Sequence, residues 1–382
     1  MRFLRSIANH ALRDALEDLS NASEPTVERA YGWVRRIAVA LGLPIPADVD
    51  AMVLRNLAQT VGGAIVATEY GAPLRFEQPL VATLAVSGYC PFACANCYAN
   101  SLAALSTAAA SNDTDNFVRV ASTKIPFVVL TGGEPLADPR LSTGLATLLD
   151  AGKMVYLATN ASIDHYLPLA ERYRRRLAFL FSIWGTRQRH NERRGENSFE
   201  RVERNCRSLS AKGLRANLLV VLADNDLSVF ADVRELLRSW QIASVRVIRK
   251  LEVGRLEAQR FEPTPDWLHH AQLEIAGLRA FCSTVVADIP ELRRRQRRSS
   301  IAQRALGIPS FETCAAGAWM IHLESSGAAY PCYVFESSGS TRIPAGLSID
   351  EQWLAVREAR RSLPTSADCV GEAAAHLEEP IV

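Results

Sequence analysis

The sequence predicts an α/β fold with a sheet of parallel strands. From about residue 79 onward, short apolar segments alternate with longer amphipathic segments. The alternation repeats six times, which is typical of parallel strands joined by right-handed helical crossovers. The predicted strands are Pro79–Val86, Ile125–Leu130, Lys153–Ala158, Leu177–Ile183, Ala216–Leu222 and Ser244–Ile248. The predicted helices between them include Leu141–Ala151, Phe199–Lys212 and Ser228–Trp240.

Residues 1–78 are predicted to form a helical N-terminal region that precedes the sheet. Apolar residues recur at helical spacing over residues 3–19 and again over 27–41. Two prolines at 44 and 46 interrupt the pattern, and a third helix is expected at Ala47–Leu57. The predicted domains are this region, a sheet domain over 79–260, a helical bridge over 261–310 and a small C-terminal domain over 311–382.

Composition indicates an ordinary globular protein with no overall charge preference for nucleic acid or membranes. The 382 residues are 48% hydrophobic and 22% charged, and the formal net charge is +2. No run approaches the ~18 apolar residues of a membrane-spanning helix, and the N-terminus lacks a secretory signal pattern. Eight cysteines in odd-numbered groups do not resemble a disulfide framework. Reduced thiols and a cytoplasmic location are therefore predicted.

Three cysteines, Cys90, Cys94 and Cys97, follow the first predicted strand. One short loop can bring these three thiolates together, and thiolates select zinc, copper(I) or iron–sulfur centres. Structural zinc sites and ordinary ferredoxin clusters need a fourth ligand. No Cys, His, Asp or Glu falls between Cys97 and Asp113. The spacing therefore indicates a three-thiolate centre with one open position, such as a 4Fe–4S cluster with one free iron.

Polar motifs also follow the second and fourth predicted strands. The second strand ends in Thr-Gly-Gly-Glu-Pro over residues 131–135, where the glycines allow close backbone approach to a ligand and the glutamate offers a carboxylate to an ammonium group. The fourth strand contains Ser182 and is followed by His-Asn-Glu-Arg-Arg-Gly over residues 190–195. Thr159 and Asn160, which end the third strand, are further candidates for a pocket.

Taken together, these motifs resemble those of the radical S-adenosylmethionine (SAM) superfamily. The resemblance implies a partial (β/α)6 TIM-like barrel and a 4Fe–4S cluster whose free iron binds SAM, which is reductively cleaved to a 5′-deoxyadenosyl radical. Its cluster ligands would be Cys90, Cys94 and Cys97, and its SAM-binding residues Tyr98, Gly132, Gly133, Glu134, Ser182 and Arg194. Trp184 and Asn191 replace the usual aspartates, which implies a different substrate pocket.

The C-terminal cysteines resemble the start of a SPASM/twitch domain. Cys314 is followed by twelve residues, a glycine, four residues and Cys332, within a predicted hairpin of strands 318–323 and 328–334. The resemblance implies one auxiliary 4Fe–4S cluster, because only Cys369 follows as a further ligand. Its fourth position is open, water-bound, or filled by another residue such as Cys282. A rubredoxin-like iron or zinc site is the alternative for these residues.

The resemblance predicts a radical SAM oxidoreductase or maturase that abstracts hydrogen from its substrate. Maturation of a ribosomally made peptide by crosslinking, epimerisation or oxidation is the leading interpretation. The alternatives are an epimerase, dehydrogenase or decarboxylase of a small molecule in natural-product or cofactor biosynthesis, and a non-catalytic Fe–S or zinc scaffold. The expected partner is a flavodoxin- or ferredoxin-type electron donor.

Several other segments allow two interpretations each. The basic run 293–298 would either receive an acidic leader peptide or form a solvated helix face. Residues 101–115 would either cover the site or form a solvated connection. Cys206 lies at a core-facing helical position and is expected to be buried and inert, whereas Cys282 is either buried or a hydrogen-atom donor.

Overall fold

The computed structural model describes residues 49–67, 75–92, 94, 97–101, 115–163, 166–184, 186–222, 226–250, 263–289, 292, 314–338 and 341–363. Four features predicted from the sequence lie outside these residues. They are the first two N-terminal helices, most of the 101–115 segment, the basic run 293–298 and the third proposed auxiliary ligand, Cys369.

Nine strands and ten helices are present among the described residues. The strands are β1 Val81–Ala85, β2 Phe127–Thr131, β3 Met154–Thr159, β4 Leu177–Ile183, β5 Ala216–Leu222, β6 Ile242–Arg249, β7 Val285–Asp288, β8 Met320–Leu323 and β9 Ala329–Tyr330. The helices are α1 Ala51–Ala67, α2 Asn116–Ala121, α3 Leu141–Asp150, α4 Leu167–Arg172, α5 Arg187–Arg194, α6 Ser198–Ala211, α7 Val229–Ser239, α8 Pro265–Leu278, α9 Tyr333–Ser338 and α10 Ile349–Arg361. In the described part of the chain, no helix combines the length and hydropathy that crossing a membrane requires.

All nine strands form one open sheet in the order β7-β6-β5-β4-β3-β2-β1-β8-β9. Neighbouring strands are parallel except for the final pair, β8 and β9, which is antiparallel. The predicted α/β class is therefore confirmed. The predicted bounds of β4 and β5 agree with the structure. The predicted bounds of β1, β2, β3 and β6 differ from the observed ones by one or two residues at each end.

One face of the sheet is fully buried, whereas the other, which we call the inner face, is partly accessible. Burial alternates along the strands because successive side chains point to opposite faces. The half-buried residues that share the inner face by the strand register are Val129, Thr131, Ala158, Ser182, Leu219, Val221, Arg246 and Ile248. A face of this kind can receive other parts of the molecule or a ligand.

The sheet curls around this inner face. The ring of Tyr333 lies 6.4 Å from that of His322 on β8, and its phenol group is also close enough to Arg246 on β6 to act on the arginine pKa. In a flat sheet, six strand spacings would separate β8 from β6 by ~29 Å. One side chain can reach both strands only if the sheet is strongly curved. The curvature agrees with the predicted partial TIM-like barrel.

The predicted helical bridge over 261–310 is partly wrong. Helix α8 lies within it, but residues 285–288 form β7, which pairs with β6. The run Thr-Val-Val-Ala at 284–287 favours a strand because β-branched side chains fit a pleated surface. The third N-terminal helix is also longer than predicted, since α1 extends to Ala67.

The predicted C-terminal hairpin is confirmed as β8 and β9, and it is part of the main sheet. Its second strand, predicted over 328–334, is wrong in length, because it spans only Ala329–Tyr330 and helix α9 begins at Tyr333. Strand β8 pairs in parallel with β1 over four residues. On the other side, the Arg119 guanidinium of α2 donates to the carbonyl of Leu347 (2.7 Å) and to Gln352 Oε1 of α10 (2.8 Å). The C-terminal segment is therefore held to the sheet domain by both backbone and side-chain hydrogen bonds.

Candidate active site

The cysteine loop and the β2 turn meet at the carboxyl edge of the sheet. Backbone hydrogen bonds join them directly, because Gly133 N–H donates to Ser87 O (2.7 Å) and Glu134 N–H donates to Tyr89 O (2.8 Å). The loop leaves β1 and the turn leaves β2, and these strands are parallel neighbours. Ligands of open α/β sheets bind at this edge.

Gly132 and Gly133 are needed for this backbone contact. A Cβ atom on residue 133 would lie 1.9 Å from Tyr89 O, and one on residue 132 would lie 2.6 Å from Ser87 O. Residue 132 also has a φ of +107°, which L side chains rarely adopt. The sequence predicted that these glycines let the backbone approach a ligand. In the structure, they let it approach the cysteine loop.

The Glu134 carboxylate is held in a fixed, buried position. Its Oε1 accepts hydrogen bonds from Thr159 Oγ1 (2.7 Å) and Leu136 N–H (3.0 Å), and its Oε2 accepts from Asn160 N–H (2.8 Å). Burial raises the pKa of the carboxyl, whereas these hydrogen bonds and nearby Arg194 lower it. An ionised carboxylate has about four acceptor positions, so one remains for a ligand.

The three cysteines lie within electrostatic range of one another. Burial raises the pKa of the Cys90 thiol to about 11, and the neighbouring Cys94 and Cys97 act in the same direction. A bound metal reverses this preference because it deprotonates a coordinating thiol. Three positions of the loop lie outside the described residues. Among those that are described, no three side chains of His, Cys, Asp or Glu are arranged to hold a single metal ion.

Arg194 supplies the positive charge beside the cysteines. It is the last residue of α5, and its guanidinium lies within electrostatic range of all three thiols and Glu134, which raise its pKa against the lowering effect of burial. Its Nε is shut off from solvent and has no hydrogen-bond partner in the described structure. Ser182, on the inner face of β4, is half-buried.

Enclosed polar atoms without partners are concentrated at this edge. Buried polar atoms in folded proteins are almost always hydrogen-bonded, so such a concentration indicates a ligand. Five of these atoms in the described structure belong to residues that follow or end β1, β3 and β4: Ser87 Oγ, Ser162 Oγ, Trp184 Nε1, His190 Nε2 and Arg194 Nε. Together with three thiols and a buried carboxylate, this set fits a thiolate-bound cluster and a charged ligand such as SAM.

His190 and Asn191 bind the backbone on the two sides of helix α5, a role that the sequence did not reveal. His190 is fully buried, its Nδ1 accepts from Trp184 N–H (3.3 Å), and burial lowers its pKa to about 3. Asn191 Oδ1 accepts from Phe199 N–H at the start of α6 (2.8 Å), while its Nδ2 donates to Glu200 (3.1 Å). Asparagine suits this position because it both accepts and donates.

The sequence patterns also did not predict the polar residues on the inner face. Arg246 pairs with Asp288 on the neighbouring strand β7, and the phenol groups of Tyr156 and Tyr333 lie within its electrostatic range. The sequence signal that could have identified Arg246 is its charge within the otherwise largely apolar segment 244–248. These side chains give the inner face a polar zone close to the cysteine loop.

Tyr98 connects the cysteine loop to this inner face. Its hydroxyl is 2.7 Å from Thr131 Oγ1 at the end of β2. Its ring meets that of Tyr333 edge to face, with 5.5 Å between ring centroids. Burial raises the Tyr98 pKa to about 12, so the phenol stays neutral.

A polar groove opens beside the cysteine loop. Its volume is about 630 Å³, and it lies between the turn after β3 and helix α6. Its lining residues are Ala161, Ser162, Asn197, Glu200, Arg201, Arg204 and Asn205. The Arg201 guanidinium lies 5.5 Å from the ring centre of Phe92, which belongs to the cysteine loop.

Cys332 belongs to a small apolar cluster, and the half-buried Cys314 packs against that cluster. The turn after Cys314 is tied to the residue before Cys332, because Gly317 N–H donates to Pro331 O (3.1 Å). The hairpin therefore places both predicted ligands at one apolar cluster. Cys369, the third, is outside the described residues.

The apolar cluster that contains Cys332 also contacts the other cysteine loop. Met320, which packs against this cluster, pairs with Val81 at the start of β1. Tyr98, which directly follows Cys97, packs against the same cluster. The two cysteine groups are therefore connected by side-chain packing.

The remaining described cysteines lie away from this edge. Cys206 is a buried residue of α6, as predicted, and burial raises its thiol pKa. Cys282 is also buried and donates to the carbonyls of Thr284 (3.4 Å) and Ala243 (3.6 Å). Ala243 is near the amino end of β6, ~20 Å along the strand from Arg249. The geometry therefore favours the buried interpretation of Cys282 over hydrogen-atom donation at the cysteine loop.

Comparison with known proteins identifies the same region. Residues 84–237 match the model of the radical SAM superfamily. The chain is similar in fold to Streptococcus suis SuiB bound to its precursor peptide SuiA, with 15% identity, a TM-score of 0.60, and coverage of 88% of this chain and 79% of SuiB. It is also similar to anSMEcpe bound to AdoMet and the Kp18Cys peptide, with 16% identity, a TM-score of 0.51, and coverage of 74% and 82%. No curated protein matches the sequence.

Proposed function

We propose that this chain is a radical SAM enzyme, as the match of residues 84–237 to that superfamily supports, and that it uses SAM to abstract hydrogen from a peptide and thereby matures that peptide. The observation that carries this proposal is the meeting of three thiols, a buried carboxylate and a partnerless guanidinium Nε at one edge of the sheet. A protein that only stored a metal would have no use for the last two groups.

The proposal gives each group a defined task. The thiolates of Cys90, Cys94 and Cys97 would hold a 4Fe–4S cluster. Glu134 would accept the SAM ammonium through its remaining acceptor position, and Arg194 would donate to the SAM carboxylate through Nε. When bound, the cluster supplies the electron that cleaves SAM to a 5′-deoxyadenosyl radical.

Further residues would shape the space around SAM. Ser182 would add a hydroxyl donor from the inner face, and Gly132 and Gly133 would hold the turn that carries the carboxylate. Tyr98 would lie near the adenine, with its ring fixed by Thr131 and Tyr333. The inner face, which is enclosed by the curled sheet, would exclude solvent from the reacting substrate atoms.

We also propose an auxiliary 4Fe–4S cluster bound by Cys314, Cys332 and Cys369. The presence of the first two cysteines at one small apolar cluster supports this proposal. Tyr98 of the cysteine loop packs against the same apolar cluster as Cys314, which supports a position of this centre close to the site. When bound, the auxiliary cluster would supply electrons to the substrate or product, or accept them.

A peptide is the favoured substrate for two reasons. The groove beside the cysteine loop is lined mainly by charged and amide side chains, whereas small-molecule sites are mostly apolar. The similar SuiB and anSMEcpe structures were solved with peptides bound. Small-molecule dehydrogenation, epimerisation or decarboxylation is the alternative outcome of a substrate test.

The first experiment is anaerobic reconstitution with iron counting and a 5′-deoxyadenosine assay, using dithionite or a flavodoxin as reductant. About seven to eight irons per chain and reductive SAM cleavage are expected. Cys97→Ala should abolish cleavage, whereas Cys206→Ala, a matched change at a cysteine outside the site, should retain it. Wild-type protein that forms no deoxyadenosine would contradict the radical SAM proposal.

The second experiment identifies the substrate class. The reconstituted enzyme is incubated with SAM, reductant and either candidate precursor peptides or small metabolites, and products are detected by mass spectrometry. A mass change confined to a peptide supports maturation. Turnover of a small metabolite without any peptide change would overturn that part of the proposal.

A further inference from the structure

Asn160, at the end of β3, contacts the cysteine loop through its side chain. Its Nδ2 lies 3.4 Å from Cys90 Sγ, within hydrogen-bonding range for sulfur. The residue is buried, with 7% of its surface exposed. The backbone of Phe92 also hydrogen-bonds this thiol. Among the described residues, Cys90 therefore has one donor from its own loop and one from the turn after β3.

A second hydrogen bond fixes the orientation of the Asn160 amide. Its Oδ1 accepts from the backbone N–H of Ser162 (2.8 Å). If the amide were rotated by 180°, its NH₂ group would face that N–H and its oxygen would face the thiolate, so both contacts would become repulsive. Nδ2 is therefore the atom that faces Cys90.

The same short turn also holds Glu134. The backbone N–H of Asn160 and the hydroxyl of Thr159 both donate to the carboxylate. Ala161 N–H donates to Thr159 Oγ1 (3.0 Å), and Ala161 adopts a φ of +59°, which is uncommon for alanine. One turn thus contacts the proposed SAM-binding carboxylate through its backbone and a proposed cluster ligand through its side chain.

We infer that Asn160 is a positioning residue that tunes the reduction potential of the cluster at Cys90. An N–H donor to a ligating sulfur withdraws electron density and stabilises the reduced cluster, and hydrogen bonds to sulfur are among the factors that set Fe–S potentials. The Asn160 donor therefore raises the potential. This inference rests on the proposed assignment of Cys90 as a cluster ligand.

The test is an EPR-monitored redox titration of the anaerobically reconstituted full chain, following the cluster whose signal changes when SAM is added. Asn160→Leu removes the donor at similar side-chain size, and the potential should become more negative. Asn160→Ser provides a second variant, because serine can still accept from Ser162 N–H but is too short to reach Cys90. It should shift the potential in the same direction.

Thr159→Val is the matched control. It removes the hydrogen bonds of the Thr159 hydroxyl to Glu134 and from Ala161 N–H, whereas the Asn160 side chain keeps its partners, Cys90 and Ser162. SAM should therefore bind more weakly while the potential without SAM stays at the wild-type value. Wild-type potentials in both Asn160 variants, or an equal shift in Thr159→Val, would overturn the inference. Wild-type protein with no SAM-responsive cluster would instead overturn the proposed function.

Discussion

Replacing Gly133 with alanine tests whether the contact between the cysteine loop and the β2 turn organises the site. The new Cβ would lie 1.9 Å from Tyr89 O and 2.5 Å from Tyr89 C. Both are backbone atoms, so the overlap cannot be relieved by rotation of a side chain. The turn must move away from the loop.

The expected loss follows from the contacts that this movement breaks. Two backbone hydrogen bonds, from residues 133 and 134 to the loop, contribute about 1–3 kcal/mol together. Overpacking adds about 1–3 kcal/mol. The variant should therefore be destabilised by about 2–6 kcal/mol, a large part of the ~5–15 kcal/mol that stabilises a typical domain.

Gly277→Ala is the matched control for this change. A Cβ on that helical residue meets nothing within 4 Å, and alanine is favoured over glycine in a helix by up to ~1 kcal/mol. Urea unfolding of metal-free protein gives the stabilities, and iron counting reports whether the cluster still assembles. If Gly133→Ala matched the wild type in both measurements, the argument from backbone contact would be refuted.

Three further predictions concern the surroundings of the site. Asn191→Asp should destabilise the protein by about 1 kcal/mol in urea unfolding, because it places a carboxylate beside Glu200 and removes an N–H donor. His190→Phe should flatten the pH dependence of the unfolding free energy. The depressed pKa of about 3 gives neutral His190 a stabilising effect above pH 6.5 that is lost as the pH falls toward 3, by up to ~1.4 kcal/mol per unit. Arg119→Lys should weaken attachment of the C-terminal segment by about 1–3 kcal/mol, because lysine cannot bind Leu347 and Gln352 at the same time. The expected result is faster hydrogen exchange in β8 and α10.

Each of these predictions has its own control. A compensating Glu200→Gln change should restore most of the stability lost in Asn191→Asp. Replacing the exposed His270 by phenylalanine should leave the pH slope as it is in the wild type, and an equal flattening there would contradict the assignment to His190. For Arg119→Lys, exchange in β4 should be unchanged, and uniform acceleration would indicate global rather than local weakening.

Local sequence patterns were sufficient for the central strands. The bounds of β4 and β5 could be predicted because both are seven-residue runs with six apolar residues each, a composition typical of strands buried in parallel sheets. Strand β7 has only four residues and follows a long helix, so the pattern at 261–310 favoured continued helix. The parallel pairing of β8 with β1 could not be predicted, because it joins residues more than 230 positions apart.

The candidate site was predictable in its residue types but not in its contacts. Cysteine spacing and the Gly-Gly-Glu motif indicated which residues meet at the carboxyl edge. The reason for the glycines lies in the position of Tyr89 O, which depends on how another loop folds. Likewise, Asn160 was a pocket candidate, but its orientation depends on the backbone N–H of Ser162.

The position of β1 between β2 and β8 affects how the protein is made. The chain must be synthesised for another ~235 residues after Ala85 before the strand at Met320–Leu323 is available. At typical rates, this takes on the order of 10–50 s. During that time, the strand that leads into Cys90 has one unpaired edge, which invites pairing with other chains. Iron delivered after translation would therefore meet a cysteine loop whose supporting strand is paired on both sides, whereas iron delivered earlier would meet an incomplete sheet.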